Sequence, residues 1–265
     1  MTEKIIPPGV DPGVASPARI YDYYLGGKDN FAADREAAEA LIAAFPSGPV
    51  AARQNRSFLI RAVRRLAEEG VRQFLDVGSG LPTQENVHEV ARLVQRDARV
   101  LYTDLDPVAV VHARALLAGE AGVHAEEGDL RDPEALLATA REHLDLGEPI
   151  AVLLAAVTHF VSDADGPHGL VSALMDATVS GSHLLLSQAT ADMTSDDTVS
   201  KVEDEWSKTS ASLHARTRDE VMRFFDGLVL LDPGVVPVTQ WCPDEGVAYP
   251  SPAQAPLYAG VARKA

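Results

Sequence analysis

The stretch Phe74-Leu75-Asp76-Val77-Gly78-Ser79-Gly80-Leu81-Pro82-Thr83 decides how the rest of the chain is interpreted. A short apolar run ends in an aspartate and two glycines follow, a pattern typical of a strand that turns sharply into a helix beside a ligand. Gly78 and Gly80 let the backbone approach that ligand because no Cβ stands in the way. A dinucleotide fingerprint would place a third glycine where this chain has Thr83. A purely structural strand–helix turn remains the alternative for this stretch taken alone.

Acidic residues also follow the next two apolar runs. The first run leads into Asp104 and Asp106, and a carboxylate at this point of a parallel sheet can accept hydrogen bonds from both hydroxyls of a ribose. Asp106 has the alternative role of capping the helix that begins near Pro107. The second run leads into Asp129, which can accept a hydrogen bond from an exocyclic amino group such as that of adenine. Because neighbouring parallel strands end at one edge of a sheet, these acids predict a nucleoside site there.

Composition excludes several classes of protein. The chain has 265 residues, 23 Lys and Arg against 39 Asp and Glu, and a formal net charge of −16. A surface this acidic repels phosphate backbones and anionic lipid. We therefore expect neither nucleic acid nor a membrane as a partner. The longest apolar run, 150–157, is too short to cross a bilayer, and residues 1–17 lack the apolar core of a signal peptide. With Cys242 as the single cysteine and no metal-binding histidine spacing, we expect a soluble, cytoplasmic protein without a metal.

Apolar runs alternate with helical stretches from residue 71 onward, which predicts βαβ units. We expect strands at about 72–77, 99–103, 122–126, 149–156, 182–188, 228–232 and 257–263. Helices are expected at about 84–95, 107–118, 133–143, 167–178 and 218–226, with a further helix within 189–216. The predicted fold is α/β, a Rossmann-like seven-stranded mostly parallel sheet with helices on both faces. Residues 1–16 are expected to form a tail, followed by three amphipathic helices before residue 70.

The three strand-end motifs, Asp-Val-Gly-Ser-Gly (76–80), Tyr-Thr-Asp-Leu-Asp-Pro (102–107) and Glu-Gly-Asp-Leu-Arg-Asp (127–132), resemble motifs I to III of class I S-adenosylmethionine-dependent methyltransferases. Residues 16–31, followed by Ala-Arg-Gln-Asn-Arg at 52–56, resemble an actinomycete group first described as a domain of unknown function and later named an S-adenosyl methyltransferase family. The resemblance implies S-adenosylmethionine as the cofactor. It also implies a tail and helical cap at 1–70 and a methyltransferase domain, one compact unit, at 71–265.

Carried over residue by residue, the resemblance implies contacts to each part of the cofactor. They are Gly78, Ser79 and Gly80 at the methionine portion with Asp76 nearby, Asp104 at the ribose with Asp106 close to it, Asp129 and the Leu130 backbone at the adenine, and Ala155, Ala156 and His159 at the sulfonium. The segment from Tyr21 to Asn30 would close over the cofactor, with Arg53 or Asn55 holding it shut. Helix packing within the cap is the alternative role for these last residues.

His159 is the candidate general base, which methyl transfer needs only when the acceptor must lose a proton. A hydrogen-bonded structural histidine is the alternative. Residues after the fourth strand lack the Asn/Asp-Pro-Pro-aromatic run of amino-methylating enzymes, so DNA-base methylation is not expected. The sequence predicts a methyltransferase acting on a small-molecule acceptor, with an unknown oligomeric state. A non-catalytic module that binds S-adenosylmethionine or S-adenosylhomocysteine is the main alternative, and a nicotinamide-dependent oxidoreductase is a more remote one.

Overall fold

A mostly parallel sheet lies at the centre of the protein. The computed structural model describes residues 6–82 and 85–265. Its strands in this part of the chain are β1 (Gln73–Val77), β2 (Arg99–Asp104), β3 (Val123–Glu127), β4 (Ala151–Ala155), β5 (His183–Ala189), β6 (Leu228–Leu230), β7 (Val236–Pro237) and β8 (Leu257–Lys264). Their order is β3-β2-β1-β4-β5-β8-β6, with β7 paired to β8. Strands β1 to β5 pair in parallel, whereas β8 is antiparallel to both β5 and β6. The predicted α/β fold is confirmed.

The prediction of seven strands missed β7, which pairs with β8 through Val236 and Pro237. Two residues are too few to show an alternating pattern, and a proline argues against a strand except at an edge. The register of the longer strands follows their apolar runs. Neighbouring residues such as Phe74 and Leu75 belong to different buried clusters, because successive side chains of a strand point to opposite faces.

Helices cover both faces of the sheet and extend beyond it. They are α1 (Pro17–Tyr24), α2 (Ala32–Ala44), α3 (Gly48–Glu68), α4 (Val87–Arg92), α5 (Pro107–Leu116), α6 (Pro133–His143), α7 (Pro167–Asp176), α8 (Asp196–Ser207) and α9 (Arg218–Met222). Helices α3, α4 and α5 contribute to the core on one face, and α6, α7 and α9 to the core on the other. Helix α4 is shorter than predicted. Two positions used in the sequence analysis lie outside the described residues. They are Thr83, which occupies the position of the third glycine of a dinucleotide fingerprint, and Gln84, where the helix was predicted to begin.

Three helices begin with a polar residue followed by proline. Two of them, α5 and α6, follow the ends of β2 and β3. The pairs are Ser16-Pro17, Asp106-Pro107 and Asp132-Pro133, and in each the polar side chain accepts a hydrogen bond from a backbone N–H of the first turn. Proline suits the first helical position because its missing N–H would have no intrahelical partner there. The alternative role predicted for Asp106, that of a helix cap, is therefore present in the structure.

The N-terminal helices pack on a part of the chain far away in sequence. Ile20 and Leu41, from α1 and α2, form a small buried cluster with Trp206 of α8. The Ser210 N–H, just past α8, donates to the Ala15 carbonyl (2.9 Å). Helices α1, α2 and α8 thus lie together over one end of the sheet. No helix in the part of the chain that the structure describes is long and apolar enough to span a membrane.

Candidate cofactor and methyl-transfer site

A cleft of about 800 Å³ lies where β1, β2, β3 and β4 end. Its floor is formed by the loops that follow these strands, and its walls by the N-terminal segment, helices α1 to α3, and α8 with the loop after it. Most residues predicted from the sequence line this cleft: Tyr21, Asp76, Gly78, Ser79, Gly80, Asp104, Asp106, Asp129, Leu130, Ala155, Ala156 and His159. The topology therefore brings together residues that are separated by up to 138 positions in the chain.

Arg53 and Asn30 do not line the cleft. Arg53 is exposed and borders a separate depression, because the α3 residues that line the cleft recur at helical spacing and include Ala52, Asn55 and Arg56. Asn30 is buried, and its Nδ2 donates to Asp22 Oδ2 (2.8 Å) and to the Gly27 carbonyl (3.2 Å). Arg53 and Asn55 were the two candidates for holding the cap shut, and of these Asn55 lies in the cleft wall. The sequence analysis did not assign Arg56 to the site, although Arg56 is one helical turn from Ala52 and therefore lies on the same face of α3.

The loop after β1 has the conformation that only glycine adopts without strain. Gly78 and Gly80 have φ values of +70° and +69°. A Cβ on Gly78 would lie 2.4 Å from Val157 Cγ2. The loop after β4 can therefore pack directly against this loop only because Gly78 has no side chain. The Gly80 N–H donates to Asp104 Oδ2 at 2.7 Å. The glycines thus connect the ends of three neighbouring strands.

A Gly78→Ala variant is expected to lose on the order of 3 kcal/mol of stability, because a left-handed backbone and a close contact with Val157 combine. It should also bind cofactor poorly. Gly70→Ala is the matched control, since Gly70 has φ +96° and its Cβ would meet no atom within 4 Å. Urea unfolding of both variants checks the difference. Equal losses for the two variants would contradict the proposed contact between the loops.

Two buried carboxylates, Asp76 and Asp104, lie at the ends of the neighbouring strands β1 and β2. Burial raises the pKa of Asp76 to about 7, with Arg56 lowering it and the Asp104 charge raising it further. Burial likewise raises the pKa of Asp104 to about 6, although hydrogen bonds from the Asp106 and Gly80 N–H groups oppose this. Charged carboxylates that burial destabilises gain strongly from a cation or from hydroxyl donors. The pair therefore favours a ligand that carries both.

Asp106 joins the cofactor edge of the sheet to the cap. Its Oδ1 caps α5 by accepting from the Val108 N–H (2.9 Å), while its Oδ2 accepts from Arg19 Nη1 (2.9 Å) and from the Ser16 hydroxyl. Arg19 is only 4% exposed, and its Nε also donates to both Asp34 oxygens, at 3.1 and 2.9 Å. One buried guanidinium thus holds α1, α2 and the start of α5 together.

Asp129 forms an ion pair with its neighbour Arg131 at the end of β3. Arg131 Nε lies 2.9 Å from each carboxylate oxygen and Nη2 lies 2.7 Å from Oδ2. Partial burial alone would raise the pKa of Asp129, but the Arg131 guanidinium lowers it below its usual range. Asp129 therefore stays charged at neutral pH and remains a hydrogen-bond acceptor at the rim of the cleft.

His159 has the properties of a hydrogen-bond donor. Its Nδ1 accepts from the Ala189 N–H at 3.3 Å, which leaves the ring proton on Nε2. Burial, with the positive charge of Arg216 and then His214, lowers the pKa of His159 to about 3. A ring with so low a pKa accepts a proton weakly at neutral pH. The hydrogen bond at Nδ1 and the lowered pKa thus favour a neutral ring with an Nε2–H donor over the general-base role for which His159 was the candidate.

The architecture and the chemistry of the strand-end loops agree on one class of protein. A parallel sheet that includes one antiparallel strand, with a glycine loop after β1 and acids at the ends of β1, β2 and β3, is typical of S-adenosylmethionine-dependent methyltransferases. The chain belongs to the S-adenosyl methyltransferase family, whose model matches residues 3–265. The resemblance seen in the sequence is thereby confirmed, and S-adenosylmethionine is the cofactor of the family. No group of three or more metal-binding side chains occurs within residues 6–82 and 85–265.

Solved structures support the same assignment. A DUF574-family protein from Streptomyces avermitilis is 40% identical, with a TM-score of 0.90 over 96% of this chain and 99% of that one. A proposed methyltransferase from Thermobifida fusca is 39% identical, with a TM-score of 0.90 over 97% and 98% of the two chains. The plantazolicin methyltransferase BamL shares the fold, with 10% identity and a TM-score of 0.54 over 93% and 95%. No curated protein matches the chain by sequence.

Proposed function

We propose that the protein transfers a methyl group from S-adenosylmethionine to a small-molecule acceptor that enters the cleft from the side of α2 and α8. The observation that carries the proposal is the pair of buried carboxylates, Asp76 and Asp104, beside the glycine loop after β1, in which a Cβ on Gly80 would meet no atom within 4 Å. S-adenosylmethionine supplies a methyl group already activated by a sulfonium, so the protein's contribution is positioning and exclusion of water.

The described residues fit the cofactor along the whole floor of the cleft. We assign Asp104 to the ribose hydroxyls; it can retain the Gly80 N–H as well, because a carboxylate oxygen has two lone pairs. We assign Asp76 to the cationic amino acid end, because burial makes an opposite charge beside this carboxylate favourable. Leu130 and Asp129 offer the adenine an apolar contact and a hydrogen-bond acceptor at the end of β3.

The wall nearest the reacting methyl group is held from the cap. Ala156 has φ +59°, which is unusual for a residue with a Cβ. Its N–H donates to Ser187 Oγ at 2.9 Å, and the Ser187 hydroxyl donates to Asn55 Oδ1 on α3. Asn55 Nδ2 also donates to the Tyr21 hydroxyl at 3.1 Å. The cap therefore supports the loop after β4, and we assign Asn55 and Tyr21 this positioning role.

The same proposal covers the domain organisation of the chain, the class of acceptor and the cellular location of the protein. Residues 1–70 act as a tail and cap over a methyltransferase domain at 71–265, and the Arg19 contacts support a cap that closes over the cofactor. A net charge of −16 supports an acceptor other than nucleic acid. The single cysteine supports a cytoplasmic location. Membership of a transferase family favours turnover over the alternative of a binding module.

The cofactor part of the proposal is tested by calorimetric titration with S-adenosylmethionine and S-adenosylhomocysteine. Asp104→Ala is expected to lose about 2–4 kcal/mol of binding free energy, at least tenfold in affinity, because two hydrogen bonds to a charged acceptor disappear. Asp226→Ala, at an exposed aspartate outside the cleft, is the control and should bind like the wild type. An unchanged affinity in Asp104→Ala would contradict the assignment of the ribose site.

The acceptor part is tested with an extract from which macromolecules have been filtered. Methyl-labelled S-adenosylmethionine is expected to give S-adenosylhomocysteine together with a labelled small molecule. Label that enters only protein or nucleic acid, when unfiltered extract is supplied, would contradict a small-molecule acceptor.

A further inference from the structure

The two halves of the cleft differ in charge. The charged side chains that line the described part of the cleft belong to the N-terminal segment with α1, to the middle of α3 and to the ends of β1 to β4 with their loops, among them Asp76, Asp104 and Arg131. The other half lies between α2, the start of α3, α8 and the loop at 210–215, and its described residues include no Asp, Glu, Lys or Arg. In a chain with a net charge of −16 this uncharged surface is a specific feature of the site.

The uncharged half is lined mainly by aromatic and aliphatic side chains, with Thr198, Ser210, Ser212 and His214 as polar members of the α8 and 210–215 walls. The aromatic and aliphatic members include Tyr24, Leu41, Phe45, Phe160, Val202 and Trp206. The Phe160 and Trp206 rings meet edge to face with centroids 5.0 Å apart, and Trp206 is buried against Leu41. A charged group placed here would lose its hydration without gaining a partner, whereas a flat apolar molecule would gain ring contacts.

His159 connects the two halves of the cleft wall. His159 follows the loop after β4, where the cofactor half ends, and its ring packs against Phe160 with centroids 4.4 Å apart. Because Nδ1 already accepts from the Ala189 N–H, Nε2 is the donor that remains for a ligand in the cleft. A molecule in the uncharged half therefore meets an N–H donor at the end nearest the transferred methyl group.

We propose that the methyl acceptor is an uncharged, largely aromatic molecule that lies between α2 and α8 and accepts a hydrogen bond from His159 Nε2 through an oxygen or nitrogen atom. This inference rests on the proposed function, because it names the acceptor class of the same cleft. His159 acts here as a positioning residue that sets the distance between the acceptor and the cofactor.

The charge preference is tested by fluorescence titration of protein saturated with S-adenosylhomocysteine. The probes are 2-methoxynaphthalene, which is neutral, 2-naphthoate, which is an anion, and 2-naphthylmethylammonium, which is a cation. The neutral probe is expected to bind at least ten times more tightly than either ion. Val199→Asp, in the α8 wall, should weaken the neutral probe at least tenfold, whereas Val111→Asp, at an exposed helical valine outside the cleft, should leave it within twofold.

The histidine contact is tested with a probe that lacks the oxygen. His159→Leu is expected to weaken 2-methoxynaphthalene about tenfold more than it weakens 2-ethylnaphthalene, which has nearly the same shape. His159→Gln keeps an N–H donor near the position of Nε2 and should recover part of the loss. An equal effect of His159→Leu on both probes would overturn the positioning role, since purely structural damage does not depend on the oxygen.

The failures of the two proposals are distinguishable. Binding of S-adenosylhomocysteine without binding of the neutral probe, or with a preference for either ion, would overturn the acceptor class and leave the proposed function standing. Absence of S-adenosylhomocysteine binding in the wild type would overturn the proposed function and the acceptor class with it.

Discussion

Asp76→Asn is expected to be more stable than the wild type at pH 8 and yet to bind S-adenosylmethionine at least ten times more weakly. Burial raises the pKa of Asp76 to about 7 in the folded protein, against 3.8 for an unburied aspartate. The charged form is therefore disfavoured by folding, by on the order of 4 kcal/mol once the pH exceeds about 7. Asparagine removes this penalty, but it cannot offer a charge to the amino acid end of the cofactor.

The sign of the pH dependence follows from the raised pKa. Below about pH 4 Asp76 is protonated in both the folded and unfolded states, so the charge penalty vanishes, and it grows as the pH rises toward 7. The stability gain of Asp76→Asn should therefore fall to about half at pH 5.5. Thermal unfolding at pH 5.5 and pH 8, with calorimetry of cofactor binding, measures both effects. A variant that is less stable than the wild type at pH 8 would show that the carboxylate is needed for the fold instead.

Arg19→Met is expected to be the most destabilising single change in the cap. It removes the buried cation that pairs with Asp34 and Asp106, and two carboxylates then remain buried without it. Breaking a buried ion pair from one side costs about 3–5 kcal/mol. For a chain of this size the loss corresponds to a melting temperature roughly 10 °C lower. Methionine keeps most of the volume of the side chain, so the charge accounts for most of the effect.

The control for Arg19→Met is Arg96→Met, at an exposed arginine, which should melt within about 1 °C of the wild type. Limited proteolysis adds a readout that is specific to the cap, because release of α1 should expose the segment around Gly26 and Gly27. A loss of less than about 1 kcal/mol for Arg19→Met, without faster cleavage there, would contradict the role of this arginine in holding the cap closed.

The strand-end acids were predictable from the sequence because each follows an apolar run within a few residues. Asp76, Asp104 and Asp129 needed only the rule that parallel strands end at a common edge. The Arg19 contacts were not predictable. Its partners lie 15 and 87 positions away, and no local pattern connects an arginine of α1 to a helix cap after β2. The same limit applies to Asn55, whose bond to Ser187 joins residues 132 positions apart.

Membership of a motif does not say which face of a helix a residue lies on. Arg53 belongs to the recognised segment at 52–56, yet the helical spacing from Ala52 points to Asn55 and Arg56 as the residues that face the cleft. His159 lies in the cleft wall as expected, but its chemistry depends on which ring nitrogen accepts the Ala189 N–H. That contact comes from the pairing of β4 with β5, which the sequence alone does not specify.

A crystal structure with bound S-adenosylhomocysteine tests the central claim most directly. We expect the ribose hydroxyls within about 3 Å of the Asp104 carboxylate, the amino acid end beside Asp76 and Gly78, and the adenine at Leu130. We also expect the sulfur to face the uncharged half of the cleft near His159. S-adenosylhomocysteine bound elsewhere, or bound in the cleft with the ribose away from Asp104, would contradict the assignment of the site.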